Sequence, residues 1–211
     1  MKIYAVADIH GNLEKHELIK THVLELNPDV LVIAGDVTNK TNPSSFVSLV
    51  TELPIPVLAV RGESDNQTVE QLFDECPNIS SLNLKIVSFG GVSFVGLSSI
   101  SPRLFWNSYS YSDEIIKEIE PFIDSKSVVV THLPPWGYLD EPFWSLHTGC
   151  RRLHNLLLVH QPAVLICGHM HNRSSMTYIG KTLVVNCSIA KSGAGAVIEF
   201  FDGEAIYSNM L

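Results

Sequence analysis

Short apolar runs recur along the chain, and each stops abruptly at a polar residue. "KIYAVA" (2–7), "DVLVIAG" (29–35) and "PVLAV" (56–60) do not alternate apolar with polar. They read as strands buried on both faces of a sheet. Between the first two, "LEKHELIKTHVLEL" (13–26) places Leu13, Leu18, Ile19, Val23, Leu24 and Leu26 on one helical stripe. That helix should end at Asn27-Pro28-Asp29. "SSFVSLVTEL" (44–53) and "NQTVEQLFDEC" (66–76) predict two more helices. This β-α-β-α-β-α opening calls for a parallel sheet, because parallel neighbours need crossover connections.

The second half is richer in strands. "LKIVSFG" (84–90) and "VSFVGLSS" (92–99) predict a hairpin turning at Gly90-Gly91. "SDEIIKEIEPFI" (112–123) opens on a Ser/Asp cap and predicts a helix, as does the stretch from Cys150 to His160. "KSVVVTHLPP" (126–135) predicts a strand ending at Thr131-His132, and "AVLICGHMH" (163–171) one ending in a histidine-rich turn. "KTLVVNCS" (181–188) and "GAVIEFFDGEAIYS" (195–208) predict closing strands, the latter a hairpin at Asp202-Gly203. Two packed sheets with helices outside would bury both halves. The 211 residues suit one domain over 1–211, or two lobes sharing one core. A chain of this size buries roughly 70% of its extended surface. The loops 101–111 and 134–148 hold Trp106, Trp136 and Trp144 with Phe105, Tyr109, Tyr111, Tyr138 and Phe143. Such loops either pack on the body or line a pocket.

Charge narrows the partners. The net charge is −8 and no long Lys/Arg run occurs, so neither an extended nucleic acid nor an anionic membrane surface is expected. A small anionic substrate remains compatible, because a metal or one arginine can reverse the sign inside a cleft. Cys76, Cys150, Cys167 and Cys187 show no CxxC spacing, and the N-terminus lacks a signal-peptide pattern. No apolar run reaches the ~18–20 residues of a membrane span. Free thiols in a cytoplasmic protein are the simplest reading. Edge strands or aromatic loops would allow a homo-oligomer, and nothing requires one.

The chemistry sits where the apolar runs stop. Asp8 and His10 form a D-x-H pair after the first run, which an extended backbone would aim at one point. Asp36 follows the second run, His132 follows "SVVVT", and His169 and His171 form H-x-H after "AVLIC". Open α/β sheets build their sites at such strand ends. Singly, each residue is a turn, cap or surface residue. Together, carboxylates and imidazoles suit Mn2+, iron, Ni2+ or Zn2+ better than Ca2+. Two divalent ions about 3.5–4 Å apart can clamp a phosphate and activate a water. One carboxylate must then bridge them, and Asp36 is the natural candidate.

"ADIHGN", "AGDV", "RGESD", "THLPP" and "GHMH" together resemble the motifs of the calcineurin-like metallophosphoesterases. The likeness is greatest to the small single-domain prokaryotic phosphodiesterase branch, through "THLPPWGYLD", "HTGCRRL", "LICGHMHN" and "GKTLVVN". The resemblance implies an α/β fold, a four-layer α-β-β-α sandwich with two mixed sheets. It implies a first divalent ion, with Mn2+ the leading choice, held by Asp8, His10, Asp36 and His171. A second would be held by Asp36, His132 and His169, and the nucleophile would be a metal-activated hydroxide. The catalytic candidates are Asp36 as the bridge, His132, which can also neutralise developing charge, and Asp65. The implied activity is hydrolysis of a small phosphate ester.

Two positions depart from the pattern. Glu63 stands where the family places the Asn that completes the second metal site. Three carboxylates and a hydroxide then balance two divalent ions, whereas Asn would leave one positive charge. Tighter metal binding and a preference for singly charged diesters over dianionic monoesters follow as expectations. Ser64 stands where many members place a histidine, and it cannot act as a general acid near neutral pH. Asp65 would orient a histidine or cap the next helix. Asn12 would contact phosphate or cap a helix, Arg103 would meet a phosphate oxygen, and Asn186 would anchor a ligand or the substrate. Arg61 and Arg103 are the only basic residues expected in loops near the site. His147 is nearest to a substrate-loop role, and His16, His22, His154 and His160 read as structural or surface residues. The competing functions are a protein-binding scaffold, as in a retromer subunit of similar fold, and a nuclease or phosphomonoesterase.

Overall fold

The computed structural model describes residues 1–38, 44–99, 110–142 and 146–211. The first half runs β1 (Lys2–Val6), α1 (Leu13–Leu26), β2 (Val30–Ala34), α2 (Ser44–Glu52), β3 (Val57–Val60), α3 (Thr68–Glu75) and β4 (Ile79–Ser81). The second runs β5 (Ile86–Phe89), β6 (Val92–Leu97), α4 (Asp113–Ile119), a 3-10 turn (Glu120–Phe122), β7 (Val128–Thr131), α5 (Arg151–His160), β8 (Val164–Cys167), β9 (Ser175–Ile179), β10 (Thr182–Asn186), β11 (Ala196–Phe201) and β12 (Glu204–Met210).

These strands form two mixed six-stranded sheets, ordered β12-β11-β1-β2-β3-β4 and β5-β6-β7-β8-β10-β9. Neighbours β1 to β4 are parallel, as are β6-β7, β7-β8 and β8-β10. The strands whose every residue is buried, β2, β3, β7, β8 and β10, are interior ones. Both their faces are covered, so their sequences need no alternation. Val32, Val60, Val130, Ile166 and Val185 belong to one apolar cluster between the sheets. Ile19, Phe46 and Phe73 pack α1, α2 and α3 onto the outer face of the first sheet, and Ile119 and Leu157 pack α4 and α5 onto that of the second. The layers are therefore α-β-β-α, as expected. No helix among the described residues is long and apolar enough to cross a membrane.

Two strands escaped the sequence reading. The segments of β4 and β9, "ISS" and "SMTYI", are edge strands, β4 of three residues and β9 largely exposed or half-buried. Only one face of such a strand needs a hydrophobic partner. The α1 stripe also differs from expectation. Leu13 and Leu24 are 66% and 74% exposed, while His16, Ile19 and Val23 are buried. The inward face thus includes a histidine. Tyr111 packs into the body beside Leu97, and its hydroxyl donates to Leu97 O at 3.3 Å. Trp136 stacks under the Arg151 guanidinium at 4.4 Å. Phe105, Trp106, Tyr109, Phe143 and Trp144 lie outside the described residues.

His16 Nε2 is buried without a hydrogen-bond partner. Burial, with Lys20 adding to it, holds the imidazole below its ordinary pKa despite Glu17. The unfolded chain therefore takes up this proton first as pH falls below about 6.5, and His16 costs stability in that window. Relative to wild type, His16→Leu should gain stability between about pH 7 and pH 5. Urea denaturation at both ends of that range checks this, and a difference independent of pH contradicts it.

Candidate metal centre

The candidate ligands all lie just beyond strand C-terminal ends. Asp8 and His10 follow β1, Asp36 follows β2, Glu63 follows β3, His132 follows β7, and His169 and His171 follow β8. The D-x-H pair is not extended, which corrects the strand geometry expected for it. Asp8, His10, Asp36 and His169 have φ of 61°, 52°, 52° and 70°. Side chains with a Cβ rarely adopt this left-handed region, and such strain gathers at functional sites.

The side chains meet in two adjoining groups. Asp8, His10, Asp36 and His171 form one, and Glu63, His132 and His169 form the other, with the ligand atoms of each within 4.8 Å of one another. In the first, His171 Nε2 lies 3.4 Å from Asp8 Oδ1 and 3.3 Å from His10 Nε2. In the second, Glu63 reaches His132 Nε2 at 2.7 Å and His169 Nδ1 at 2.8 Å. Asp36 stands between the groups. Its Oδ2 is 3.8 Å from His10 Nε2 and 3.6 Å from His132 Nε2. Its Oδ1 accepts the Ser64 N–H at 2.9 Å, while Oδ2 is buried with no hydrogen-bond donor.

Backbone contacts fix this arrangement. His132 Nδ1 lies 2.7 Å from Ala34 O. A carbonyl only accepts, so Nδ1 donates and Nε2 faces the carboxylates. Gly62 packs so tightly on Asp36 that a Cβ there would collide with both its side chain and its backbone nitrogen. The Asp65 carboxylate accepts from Val37 N, Thr38 N, Thr38 Oγ1 and Gly62 N at 2.9–3.1 Å. It therefore braces the loop of Asp36 against the loop of Glu63. This corrects both roles expected of Asp65. It forms no hydrogen bond to a histidine among the described residues, and Gln67 occupies the cap position of α3.

Asn186 is likewise corrected. It is fully buried, donates to Met170 O at 3.0 Å and accepts from Ser188 N at 3.1 Å. Its Nδ2 holds the turn between His169 and His171 and its Oδ1 the backbone just after β10, and, fully buried, it does not face a substrate. Asn12 Oδ1 caps α1 by accepting from Glu14 N and Lys15 N. Arg61 is buried and points to Glu70, 3.4 Å away. Arg103 lies outside the described residues. His147 is held by the buried Asp140 at 2.7 Å.

One cation at the site escaped the sequence reading, which placed only Arg61 and Arg103 there: Lys15 Nζ donates to Asp8 O at 3.0 Å. The signal for Lys15 was its place in the first turn of α1, which packs back against the D-x-H turn.

The electrostatics are those of carboxylates crowded around imidazoles. Burial alone would lower the His132 pKa, but Glu63, Asp36 and Asp8 push it up to about 10. His171 is raised by its hydrogen bond to Asp8, against burial. Burial would raise Asp8 and Glu63, yet the neighbouring histidines lower both. This donor set fits divalent cations. It mixes carboxylate and imidazole, keeps a carboxylate oxygen without a donor, and aims His132 Nε2 inward.

Residues 1–173 match the sequence profile of the calcineurin-like phosphoesterases. The chain belongs to that family. A UPF0046 protein of Caenorhabditis elegans is 28% identical over 92% of this chain and 71% of its own. A probable cyclic nucleotide phosphodiesterase of a Synechococcus strain is 24% identical over 82% of this chain and 68% of its own. A crystal structure from Thermus thermophilus shares the fold, with a TM-score of 0.75 at 14% identity over 99% of this chain and 98% of that one. The family is one of phosphoesterases, and the two side-chain clusters are what a metal-dependent member requires.

Cation uptake here should displace protons, because Glu63, Asp36 and Asp8 favour the protonated form of His132, and Asp8 that of His171. Calorimetric titration with Mn2+ near pH 7, in buffers of different ionisation heat, should show net proton release. Affinity should weaken as pH falls. An affinity unchanged between about pH 6 and pH 9 contradicts this. Gly62→Ala, by displacing the shared Asp36, should lower bound Mn2+ at both clusters while circular dichroism stays near wild type.

Proposed function

We propose that the protein, read as one phosphoesterase domain over residues 1–211, hydrolyses a small phosphate diester with two divalent ions, Mn2+ first among the candidates. The observation that carries this reading is the donorless Asp36 Oδ2, buried between a histidine of each cluster. Asp8, His10, Asp36 and His171 would hold one ion, and Asp36, Glu63, His132 and His169 the other. When bound, such ions supply Lewis-acid polarisation of a phosphoryl oxygen and a hydroxide nucleophile near neutral pH.

The remaining work falls to the chain. The Ala34 carbonyl holds the His132 ring, and Asp65 keeps the Asp36 and Glu63 loops in register. Asn12 Oδ1 caps α1, and its amide nitrogen would be the group that meets a phosphate oxygen. Ser64 offers no acid for the leaving group, so good leaving groups or water-relayed protons are required. Glu63 adds negative charge where an Asn would add none, which favours a monoanionic diester over a dianionic monoester. The probable diesterase named among the relatives acts in the same direction. Four free, buried cysteines suit a reducing, cytoplasmic setting.

Metal-stripped protein should hydrolyse bis(p-nitrophenyl) phosphate only after Mn2+ is returned, and Asp36→Asn should lose at least about 100-fold in kcat. Glu63→Asn should shift the diester/monoester rate ratio toward the monoester. Metal uptake without hydrolysis of any diester contradicts the reading.

A further inference from the structure

Lys15 is a cation in an unusual place. It sits in the first turn of α1, where the helix dipole disfavours positive charge. It is half-buried, which lowers its pKa against the pull of Asp8. Its Nζ donates to the backbone oxygen of Asp8 at 3.0 Å and forms no ion pair with a carboxylate among the described residues. The neighbouring cations do find such partners. Lys20 pairs with Glu17, Arg61 with Glu70 and Arg173 with Glu141. An ammonium has three donors, and Asp8 O takes one. Both its helix position and its burial oppose Lys15, and one hydrogen bond to Asp8 O is the interaction that offsets them.

The metal centre gives this cation a role. Three carboxylates, Asp8, Asp36 and Glu63, leave two divalent ions with little net positive charge to attract an anion. A cation held beside Asp8, as Lys15 is, restores that attraction without being a ligand. We propose that Lys15 is a specificity-determining residue whose ammonium draws the anionic phosphate ester to the metal centre and offsets the charge added by Glu63. The proposal rests on the phosphodiesterase reading above.

The test compares wild type, Lys15→Met and Lys15→Arg in two assays. Calorimetric titration of metal-stripped protein with Mn2+ reads the effect on cations. Steady-state hydrolysis of bis(p-nitrophenyl) phosphate, with inhibition by inorganic phosphate, reads the effect on anions. Removing a like charge should tighten Mn2+ binding several-fold in Lys15→Met. The same change should raise KM and the phosphate inhibition constant about tenfold, more than it lowers kcat, and added salt should shrink the difference. Lys15→Arg should restore both. Weaker Mn2+ binding with a loss confined to kcat would reduce Lys15 to a tie on the Asp8 turn and overturn the proposal. Unchanged binding of both ions would overturn it too. If wild type takes up Mn2+ yet cleaves no diester, the phosphodiesterase reading fails. Displacement of bound phosphate, followed calorimetrically, still judges Lys15 in that case.

Discussion

Burying the Asp36 carboxylate with one oxygen held by the Ser64 N–H and the other given no donor is unfavourable in itself. A cation compensates that cost best when shared between the two histidine groups that flank the bare oxygen. Much of the local architecture serves this one placement. Gly62 leaves room for Asp36, Asp65 ties the loops after β2 and β3 together, and left-handed backbone at Asp8, His10, Asp36 and His169 turns the chain at each strand end. The sheets supply the rigidity that such strain requires, since buried parallel strands precede nearly every ligand.

Charge shapes the site as strongly as geometry. Glu63 spans His132 and His169, binding the second group together through its two oxygens. An asparagine there would offer one acceptor and no charge. In the proposed reading the carboxylate would strengthen cation binding and weaken anion binding, which calls for compensation from outside the ligand set. Lys15, held at the Asp8 carbonyl, stands where such compensation is effective.

The fold was legible wherever burial was two-sided or amphipathic. β2, β3 and β7 read directly as apolar runs, and α1 ran from Leu13 to Leu26 as its sequence indicates. Edge strands such as β4 and β9 carried no such signal, because their pairing depends on backbone rather than side chains. The fold brings Asp8, His10, Asp36 and His171 into one group and Glu63, His132 and His169 into another, whereas the resemblance had assigned Asp36 to both. Individual roles were harder to read. Asp65 and Asn186 have side chains suited to chemistry, yet Asp65 spends its oxygens largely on backbone N–H groups of the loop after β2, and the Asn186 amide nitrogen goes to Met170 O, partners that only the fold brings near. Lys15 was overlooked because its place in the first turn of α1 gains meaning only from a backbone carbonyl seven residues away.

Anomalous X-ray diffraction from crystals of the protein grown with Mn2+ tests the central claim most directly. The account predicts two peaks about 3.5–4 Å apart, with Asp36 between them. Asp8, His10 and His171 should surround one, and Glu63, His132 and His169 the other. A single peak, or two that do not share Asp36, would contradict it.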